Sequence, residues 1–278
     1  MSIEIGGCSF SFGPRSLREA LQILKVLGFD IVDLGVCLGN TQVHPVRAAQ
    51  NPEVTASEVI QALGEMRMRP EECFVLDFGE PINHPEDRVR ERTRLLFRGI
   101  VRFASLVGFR SVMLIPGIVD ASVGPERSFD ISVKALRELV KMSDDAGVRL
   151  NVEPCQPSVA ENPQDAMRLC DEVPGLGLTL DYSHFIDPGY EQSSVEPLHR
   201  FTRHFHARQA APGKRVEAVA KGTIDFNRIA SLLKAEEFEG VVAIEYVDCD
   251  VTTQCGVNVM DETIKMKAEL VRLLGQPQ

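Results

Sequence analysis

The chain has 278 residues, of which 44% are hydrophobic and 25% are charged; this balance is typical of a globular protein with a large core and excludes the disordered and fibrous classes. Its 40 acidic residues outnumber the 30 basic ones and give a formal charge of −10, which argues against nucleic acid and anionic membranes as partners. Seven scattered cysteines without a Cys-x-x-Cys pair predict neither a disulfide framework nor a structural zinc site, and they fit a reducing cytoplasm best.

Short apolar segments of strand type alternate along the chain with amphipathic segments of helical period. The predicted strands are 3–8, 31–36, 73–78, 111–115, 148–153, 176–181, 203–207 and 241–246. The predicted helices are 16–27, 55–67, 86–107, 129–146, 163–172, 225–235 and 259–274, with a weak one near 195–200. This alternation is typical of βαβ units around a parallel sheet.

The number of strand–helix units decides between the possible α/β folds. Eight units without a Gly/Ser-rich linker predict a (β/α)8 TIM barrel, as a single domain over residues 1–278. An open doubly wound sheet is the structural alternative. No phosphate-binding loop and no Gly-x-Gly-x-x-Gly after a strand occurs, so we expect no nucleotide cofactor.

Four consecutive predicted strands end in side chains of metal-ligand type. They are Glu153, Asp181, His206 and Glu245, and the carboxyl ends of barrel strands surround one mouth. Three carboxylates and one imidazole are a ligand set that suits Mn²⁺, Mg²⁺, Co²⁺ or Fe²⁺ better than structural Zn²⁺, whose sites rely on thiolates. Each residue taken singly has an alternative role as a strand-end polar group with a backbone partner. The four together predict a site for one divalent ion.

Two further residues are expected near this mouth. His184 follows Asp181 by three residues, and we expect it to bind a substrate hydroxyl or a second metal, with a backbone-bonded loop histidine as the alternative. Arg208 follows His206 by two residues, which places both on one side of an extended strand, so it is a candidate for neutralising a substrate oxyanion. A surface salt bridge is the competing role for Arg208.

The other histidines and one strand carboxylate are expected to have structural roles. His44 and His84 are assigned to ordinary loop positions, and His199 and His204 are given no function. His204 is placed on the strand face opposite to His206, and Asp33 is expected to pack or to form an ion pair.

Three segments resemble the xylose isomerase-like barrel superfamily, which includes sugar epimerases and isomerases, inosose dehydratases and apurinic-site endonucleases. They are SLREALQILKVLGFDIVDL (16–34), ASLVGFRSVMLIPG (104–117) and KGTIDFNRIASLLKAEEFEGVVAIEY (221–246). They are similar to the family's opening helix and second strand, its fourth strand with the preceding helix, and its closing Gly-x-Ile-Asp-Phe motif with the glutamate of strand eight. Their order and spacing are specific for the superfamily but not for the reaction.

The resemblance implies a role for each candidate. Glu153, Asp181, His206 and Glu245 match the four metal ligands, and His184 matches the substrate-contacting histidine of an Asp-x-x-His motif. In the epimerases the two glutamates also act as base and acid on either face of a carbon next to a carbonyl. The implied cofactor is one divalent ion, Mn²⁺ first, with Mg²⁺, Co²⁺, Fe²⁺ or Zn²⁺ as alternatives.

The chain departs from the family's pattern after the seventh strand. Where the family often has His-x-Lys-Asp, residues 206–209 read His-Ala-Arg-Gln, and the epimerase arginine six positions past the metal histidine is Pro212. Arg208 or Arg215 is a candidate replacement. The extra histidines of the three-metal endonucleases are absent from LIPG (114–117) and RQAAPGKRVEA (208–218), which disfavours DNA repair.

These implications favour a metal-dependent isomerase or epimerase that acts on a ketose, keto-polyol or related sugar-like substrate by proton transfer through an enediolate. A dehydratase (lyase) of the inosose or dehydroshikimate type is the alternative, because the same enediolate can expel a β-hydroxyl. A non-catalytic sugar-binding subunit is the third hypothesis. The chain has no run of 18 apolar residues and no signal-like N-terminus, so we expect a cytoplasmic protein without a membrane span, and a homo-oligomer is left open.

Overall fold

A computed structural model describes residues 3–38, 42–77, 79–247 and 256–275. Eight parallel strands close into a barrel, and two further strands between the seventh and eighth of them form a separate hairpin. The barrel strands are Glu4–Cys8 (β1), Ile31–Gly35 (β2), Arg69–Val75 (β3), Ser111–Leu114 (β4), Arg149–Val152 (β5), Gly177–Asp181 (β6), Thr202–Ala207 (β7) and Val241–Ile244 (β10). Around the barrel their order is β1-β10-β7-β6-β5-β4-β3-β2. The predicted closed TIM barrel is confirmed, and the open doubly wound sheet is excluded.

The helices that surround the barrel begin where local side chains cap them. Ser16 and Glu19 form a reciprocal capping box, Asn162 accepts a hydrogen bond from Asp165 N, and Asp225 accepts from the first backbone N–H groups of its helix. The helices are Leu17–Val26 (α1), Pro45–Gln50 (α2), Pro52–Met66 (α3), Asp87–Val107 (α4), Pro125–Asp145 (α5), Pro163–Glu172 (α6), Ser183–Ile186 (α7), Gln192–Val195 (α8), Phe226–Ala235 (α9) and Val259–Leu274 (α10). None of these described helices is long and apolar enough to span a membrane.

An antiparallel hairpin follows β7 and was not predicted. Its strands are Gln209–Ala211 (β8) and Lys214–Glu217 (β9), each too short to show a periodic pattern, with Pro212 and Gly213 at the turn. The Gln209 side chain holds the hairpin to the chain before α9, since its amide donates to Ile224 O (2.9 Å) and accepts from Ile224 N (3.1 Å). The missing epimerase arginine corresponds to this turn.

The core has two parts of different polarity. Apolar side chains fill the space between the barrel and its helices, as at Leu21, Leu24, Phe97 and Ile100, which are completely buried. Inside the barrel, a small apolar cluster (Cys8, Phe10, Phe74, Met113 and Ala243) lies beside buried polar side chains (Asp33, Glu72, Ser111, Asn151, Thr179, His204 and His206). The barrel interior is therefore largely a hydrogen-bonded polar network below the carboxyl-terminal mouth.

Strand β3 begins earlier than the sequence predicts. It starts at Arg69 and ends at Val75, whereas the predicted segment is 73–78, whose last residue, Phe78, lies outside the described residues. Glu71 and Glu72 are buried but lack the apolar character expected of a barrel strand. Glu71 pairs with Arg69 and Arg110, and Glu72 accepts hydrogen bonds from residues in three other barrel strands.

Candidate metal centre

The four sequence-predicted ligands lie at the carboxyl ends of four neighbouring barrel strands. Asp181 ends β6, His206 is the penultimate residue of β7, and Glu153 and Glu245 directly follow β5 and β10. Backbone hydrogen bonds from Glu153 N (3.0 Å) and Glu245 N (3.1 Å) to the adjacent strands continue the sheet pairing past both strand ends. This pairing fixes the direction of the two glutamates, and all four side chains are buried.

The ligand atoms form two overlapping groups that share Glu153. In the first, His206 Nδ1 lies 2.9 Å from Glu153 Oε1 and 3.4 Å from Glu245 Oε2. In the second, His184 Nε2 lies 3.7 Å from Asp181 Oδ2 and 3.9 Å from Glu153 Oε2. Within each group the candidate ligand atoms are within 4.8 Å of one another. The structure thus brings the predicted ligands and His184 to one mouth.

Arg208 lies among these groups with its side chain only 6% exposed. Its Nε donates to Ser183 Oγ (2.8 Å), and its Nη2 is 2.7 Å from Asp181 Oδ2 and 3.2 Å from His184 Nε2. Its Nη1 is 3.4 Å from Glu245 Oε2. The guanidinium therefore lies between Asp181 of the second group and Glu245 of the first, and it supplies positive charge to both carboxylates.

The two glutamates have opposite pKa shifts. Burial and the neighbouring charge of Glu245 raise the pKa of Glu153 to about 7. Burial acts in the same direction on Glu245, but the charges of Arg208 and His206 outweigh it and lower the pKa of Glu245 to about 2. Two carboxylates of one site thus differ in their pKa values in opposite directions, an arrangement found where an acid and a base act together.

The two imidazoles of the mouth also differ. Burial opposes a charge on His206, yet Glu245 and Glu153 raise its pKa well above the ordinary value. Burial lowers the pKa of His184 to about 4. Because Nε2 of His184 accepts from Arg208, its proton is on Nδ1, which is buried and has no hydrogen-bond partner among the described residues.

The donor set fits a hard divalent cation. Glu245 Oε2 is buried and accepts no hydrogen bond in the described part of the chain, although Arg208 Nη1 and His206 Nδ1 each lie 3.4 Å from it, so this oxygen still has lone pairs for a further cation. Carboxylate oxygens with one imidazole nitrogen are the ligands of Mn²⁺, Mg²⁺, Fe²⁺ and Co²⁺ sites. These atoms would hold the ion with Nδ1 of His206 as the nitrogen ligand.

The prediction that His204 and His206 lie on opposite strand faces is wrong. Residues two apart in a strand point to the same side, and both imidazoles lie inside the barrel with ring centroids 5.4 Å apart. Both also face Asp33, whose Oδ2 is 2.7 Å from His204 Nε2 and 3.4 Å from His206 Nε2. The i,i+2 spacing in His-Phe-His was the signal that could have linked His204 to the centre.

The remaining candidates lie further from the ligands. Arg215 is on β9, half-buried, with Nε 3.4 Å from Asp187 Oδ2. His84 has a loop role, since its Nδ1 accepts from Glu86 N (3.1 Å). His199 is buried and its Nε2 is hydrogen-bonded to the Tyr182 hydroxyl (2.8 Å).

Comparison with known proteins adds a family and a set of similar structures. Residues 21–265 match the model of the xylose isomerase-like TIM barrel family. No curated protein matches the chain. Among solved structures, D-psicose 3-epimerase from Clostridium cellulolyticum H10 with D-tagatose is 13% identical, with a TM-score of 0.78 over 98% of this chain and 99% of that one.

Two other similar structures have different descriptions. The 3-keto-D-glucoside 4-epimerase YcjR from E. coli is 17% identical, with a TM-score of 0.71 over 96% of this chain and 99% of that one. The IOLI protein with a binding zinc atom is 16% identical, with a TM-score of 0.73 over 99% of both chains. At these identities the likeness shows a shared fold.

Proposed function

Because the chain belongs to the xylose isomerase-like TIM barrel family, we propose that it is a divalent-metal-dependent isomerase or epimerase of a ketose, keto-polyol or related sugar-like substrate. The observation that carries this proposal is the pair of glutamates on His206, with Glu153 Oε1 2.9 Å and Glu245 Oε2 3.4 Å from the same Nδ1 atom. Two carboxylates around one ligand nitrogen allow a substrate carbon between them to lose and regain a proton on opposite faces.

The proposed ligands are Glu153, Asp181, His206 and Glu245, and the preferred ion is Mn²⁺. A bound divalent ion supplies Lewis acidity to a carbonyl and its neighbouring hydroxyl. The first contribution of the protein is charge balance. Three carboxylates around one divalent ion leave the site with a net negative charge, and Arg208 offsets that charge from within the mouth. These groups bind the substrate's oxygens and leave its C–H bond beside a glutamate.

Proton transfer is the task of Glu153 and Glu245. One carboxylate removes the proton from the carbon next to the carbonyl, giving an enediolate, and the other returns a proton to the same or the adjacent carbon. In the metal-free mouth the pKa of Glu153 is raised and that of Glu245 is lowered, so Glu153 is the carboxylate that takes up a proton more readily. Return to the opposite face of the same carbon gives an epimer. Return to the adjacent carbon, with the hydroxyl proton moving to the former carbonyl oxygen, gives an aldose–ketose isomer.

His184 and Arg208 would orient the substrate. The Nδ1 proton of His184 is free for a substrate hydroxyl, and the guanidinium of Arg208 stabilises developing negative charge on an oxygen. Phe74, whose ring is tilted against His206 with centroids 5.9 Å apart, gives the inner wall an apolar face that suits the C–H groups of a sugar.

Glutamine substitutions test the proton transfer directly. Glu153→Gln and Glu245→Gln should retain much of the metal, because an amide oxygen still coordinates, while turnover falls by about 10²–10⁴-fold. The assay incubates Mn²⁺-loaded enzyme in D₂O with a panel of ketoses, inososes and 3-keto sugars and follows deuterium at the exchanged carbon. Glu196→Gln is the control, since Glu196 pairs with Arg228 on the surface, and it should match the wild type.

The same assay separates the alternatives. An epimerase or isomerase incorporates deuterium without a new ultraviolet absorbance, whereas elimination of a β-hydroxyl produces an enone-type absorbance and would replace the proposal with a lyase. Saturable binding without exchange or elimination across the panel would identify a non-catalytic sugar-binding protein. A glutamine variant with metal bound and a wild-type rate would remove that glutamate from the proton-transfer pair.

A further inference from the structure

Asp33 lies directly behind the metal-facing histidine, inside the barrel. His206 presents Nδ1 to the two glutamates, so its other nitrogen, Nε2, points away from the mouth. This Nε2 is buried and makes no hydrogen bond of normal geometry within the described residues, and Asp33 Oδ2 lies 3.4 Å from it. Asp33 itself is completely buried, so this carboxylate is not a surface group that happens to be near.

The position of Asp33 is fixed from two sides. Its Oδ1 accepts a hydrogen bond from the backbone N–H of Glu72 (3.0 Å), and its Oδ2 lies 2.7 Å from His204 Nε2. The carboxylate is therefore oriented by a strand backbone and a second histidine, with Cys8 Sγ 4.0 Å from Oδ2, and Oδ2 is the oxygen that lies 3.4 Å from His206 Nε2. A ligand histidine commonly donates its second N–H to a carboxylate, which fixes the tautomer and the ring orientation.

We infer that Asp33 is a positioning residue that keeps the His206 proton on Nε2 and so leaves the Nδ1 lone pair available to the metal ion. This inference rests on the proposed metal site and names a residue outside its four ligands. Among the contacts of the described residues, the Asp33 carboxylate makes no hydrogen bond or ion pair with Glu153, Asp181 or Glu245, so we assign its effect on the metal ion to His206. His204 and the Glu72 backbone serve to hold Asp33 in place.

An isosteric amide at this position has a defined consequence. In Asp33→Asn, the backbone N–H of Glu72 selects the amide oxygen as its acceptor, because an NH₂ group there would place two donors face to face. The NH₂ group must then occupy the position of Oδ2, where it faces Nε2 of His204 at the shorter distance and Nε2 of His206 at the longer one as a donor. His206 then favours the tautomer with its proton on Nδ1, and the metal loses its nitrogen ligand.

Glu72→Gln is the matched control. Glu72 is equally buried in the same network, where its carboxylate accepts from Ser111 Oγ (2.7 Å), Asn151 Nδ2 (2.8 Å) and Thr179 Oγ1 (2.7 Å). Its Oε2 lies 4.0 Å from His204 Nε2, and its side chain makes no hydrogen bond or ion pair with His206 among the described residues. The same acid-to-amide change therefore perturbs the barrel interior without reversing a donor at the metal histidine.

Titration calorimetry of Mn²⁺ with the wild type and both variants tests the inference. We expect Asp33→Asn to weaken Mn²⁺ binding by about 10–100-fold, while Glu72→Gln keeps the wild-type affinity even if its unfolding free energy falls. Equal affinities for the wild type and Asp33→Asn would overturn the role of Asp33 and leave the metal site standing. A wild type that binds no Mn²⁺ would overturn the metal site itself, and the inference with it.

A second measurement needs no variant and covers the case in which Asp33→Asn does not fold. Imidazole ¹⁵N–¹H spectra of the Zn²⁺-loaded wild type report which nitrogen of His206 binds the metal and which carries the proton. We expect coordination through Nδ1 and a slowly exchanging proton on Nε2. Coordination through Nε2, or a proton on Nδ1, would overturn the inference.

Discussion

Removal of the Arg208 guanidinium tests its role in the charge balance of the mouth separately from its role in substrate binding. In the metal-free protein this cation lies 2.7 Å from Asp181 and 3.4 Å from Glu245, and all three side chains are buried. Loss of one partner from a buried ion pair costs about 3–5 kcal/mol, because the remaining charges are left without compensation. We expect Arg208→Gln to lower the free energy of unfolding by about this amount in the presence of a chelator.

A divalent ion neutralises the same carboxylates, so the variant should recover stability when metal is added. Two unit charges about 4 Å apart interact by about 4 kcal/mol at an effective dielectric constant near 20, and the guanidinium repels the ion. Its removal should therefore tighten Mn²⁺ binding by at least about tenfold, which corresponds to about 1.4 kcal/mol. Since bound ligand stabilises the folded state in proportion to the logarithm of its concentration over Kd, the loss should shrink at saturating Mn²⁺.

Urea denaturation with chelator and with excess Mn²⁺ measures both effects. Arg168→Gln is the control, because Arg168 is 39% exposed and pairs with Glu126 and Glu172 on the surface. Exposed pairs of this kind contribute about 1 kcal/mol or less, and this variant should show no dependence on metal. A loss for Arg208→Gln that is equal with and without Mn²⁺, or as small as that of Arg168→Gln, would refute the assignment of Arg208 to the charge balance of the site.

Two further predictions concern stability away from the ligands. Burial lowers the pKa of His199 to about 4, whereas the unfolded value is near 6.5. Between these two values only the unfolded chain binds the extra proton, so the free energy of unfolding falls as pH falls, by about 1.4 kcal/mol per pH unit. Between pH 7 and 5 the wild type should lose about 2 kcal/mol more than His199→Gln, and parallel urea profiles for the two proteins would contradict this. A Cβ added at Gly99 in α4 would overlap the backbone carbonyl of Ala49, whereas a Cβ at Gly64 in α3 meets nothing within 4 Å. Gly99→Ala should therefore destabilise the fold by about 1–3 kcal/mol, and Gly64→Ala should stabilise it by up to about 1 kcal/mol. The same sign for both variants in thermal unfolding would contradict the packing argument.

The barrel could be predicted from the sequence because its determinants are local. Segments such as Ser111–Leu114 and Val241–Ile244 are continuously apolar, and they alternate with amphipathic helices, so order and type follow from periodicity. The four candidate ligands were found for a related reason. A strand end is visible in the sequence, and the fold alone dictates that such ends meet.

The network under the mouth could not be predicted in the same way, because its contacts are distant in sequence. Glu72 is stabilised by Ser111, Asn151 and Thr179, which are 39, 79 and 107 residues away. Without those donors a glutamate in β3 indicates an exposed or irregular segment, and the start of the strand was therefore missed. Asp33 was assigned to packing or an ion pair, but its two histidine partners could not be named, since they are about 170 residues further along the chain.

The position of the metal ion tests the central claim most directly. Diffraction data collected at the manganese absorption edge from a crystal soaked in Mn²⁺ locate the ion by its anomalous signal. We predict one peak per chain, within about 2.0–2.4 Å of carboxylate oxygens of Glu153, Asp181 and Glu245 and of Nδ1 of His206. The absence of a peak in the mouth, or an ion bound to His184 and not to His206, would contradict the account.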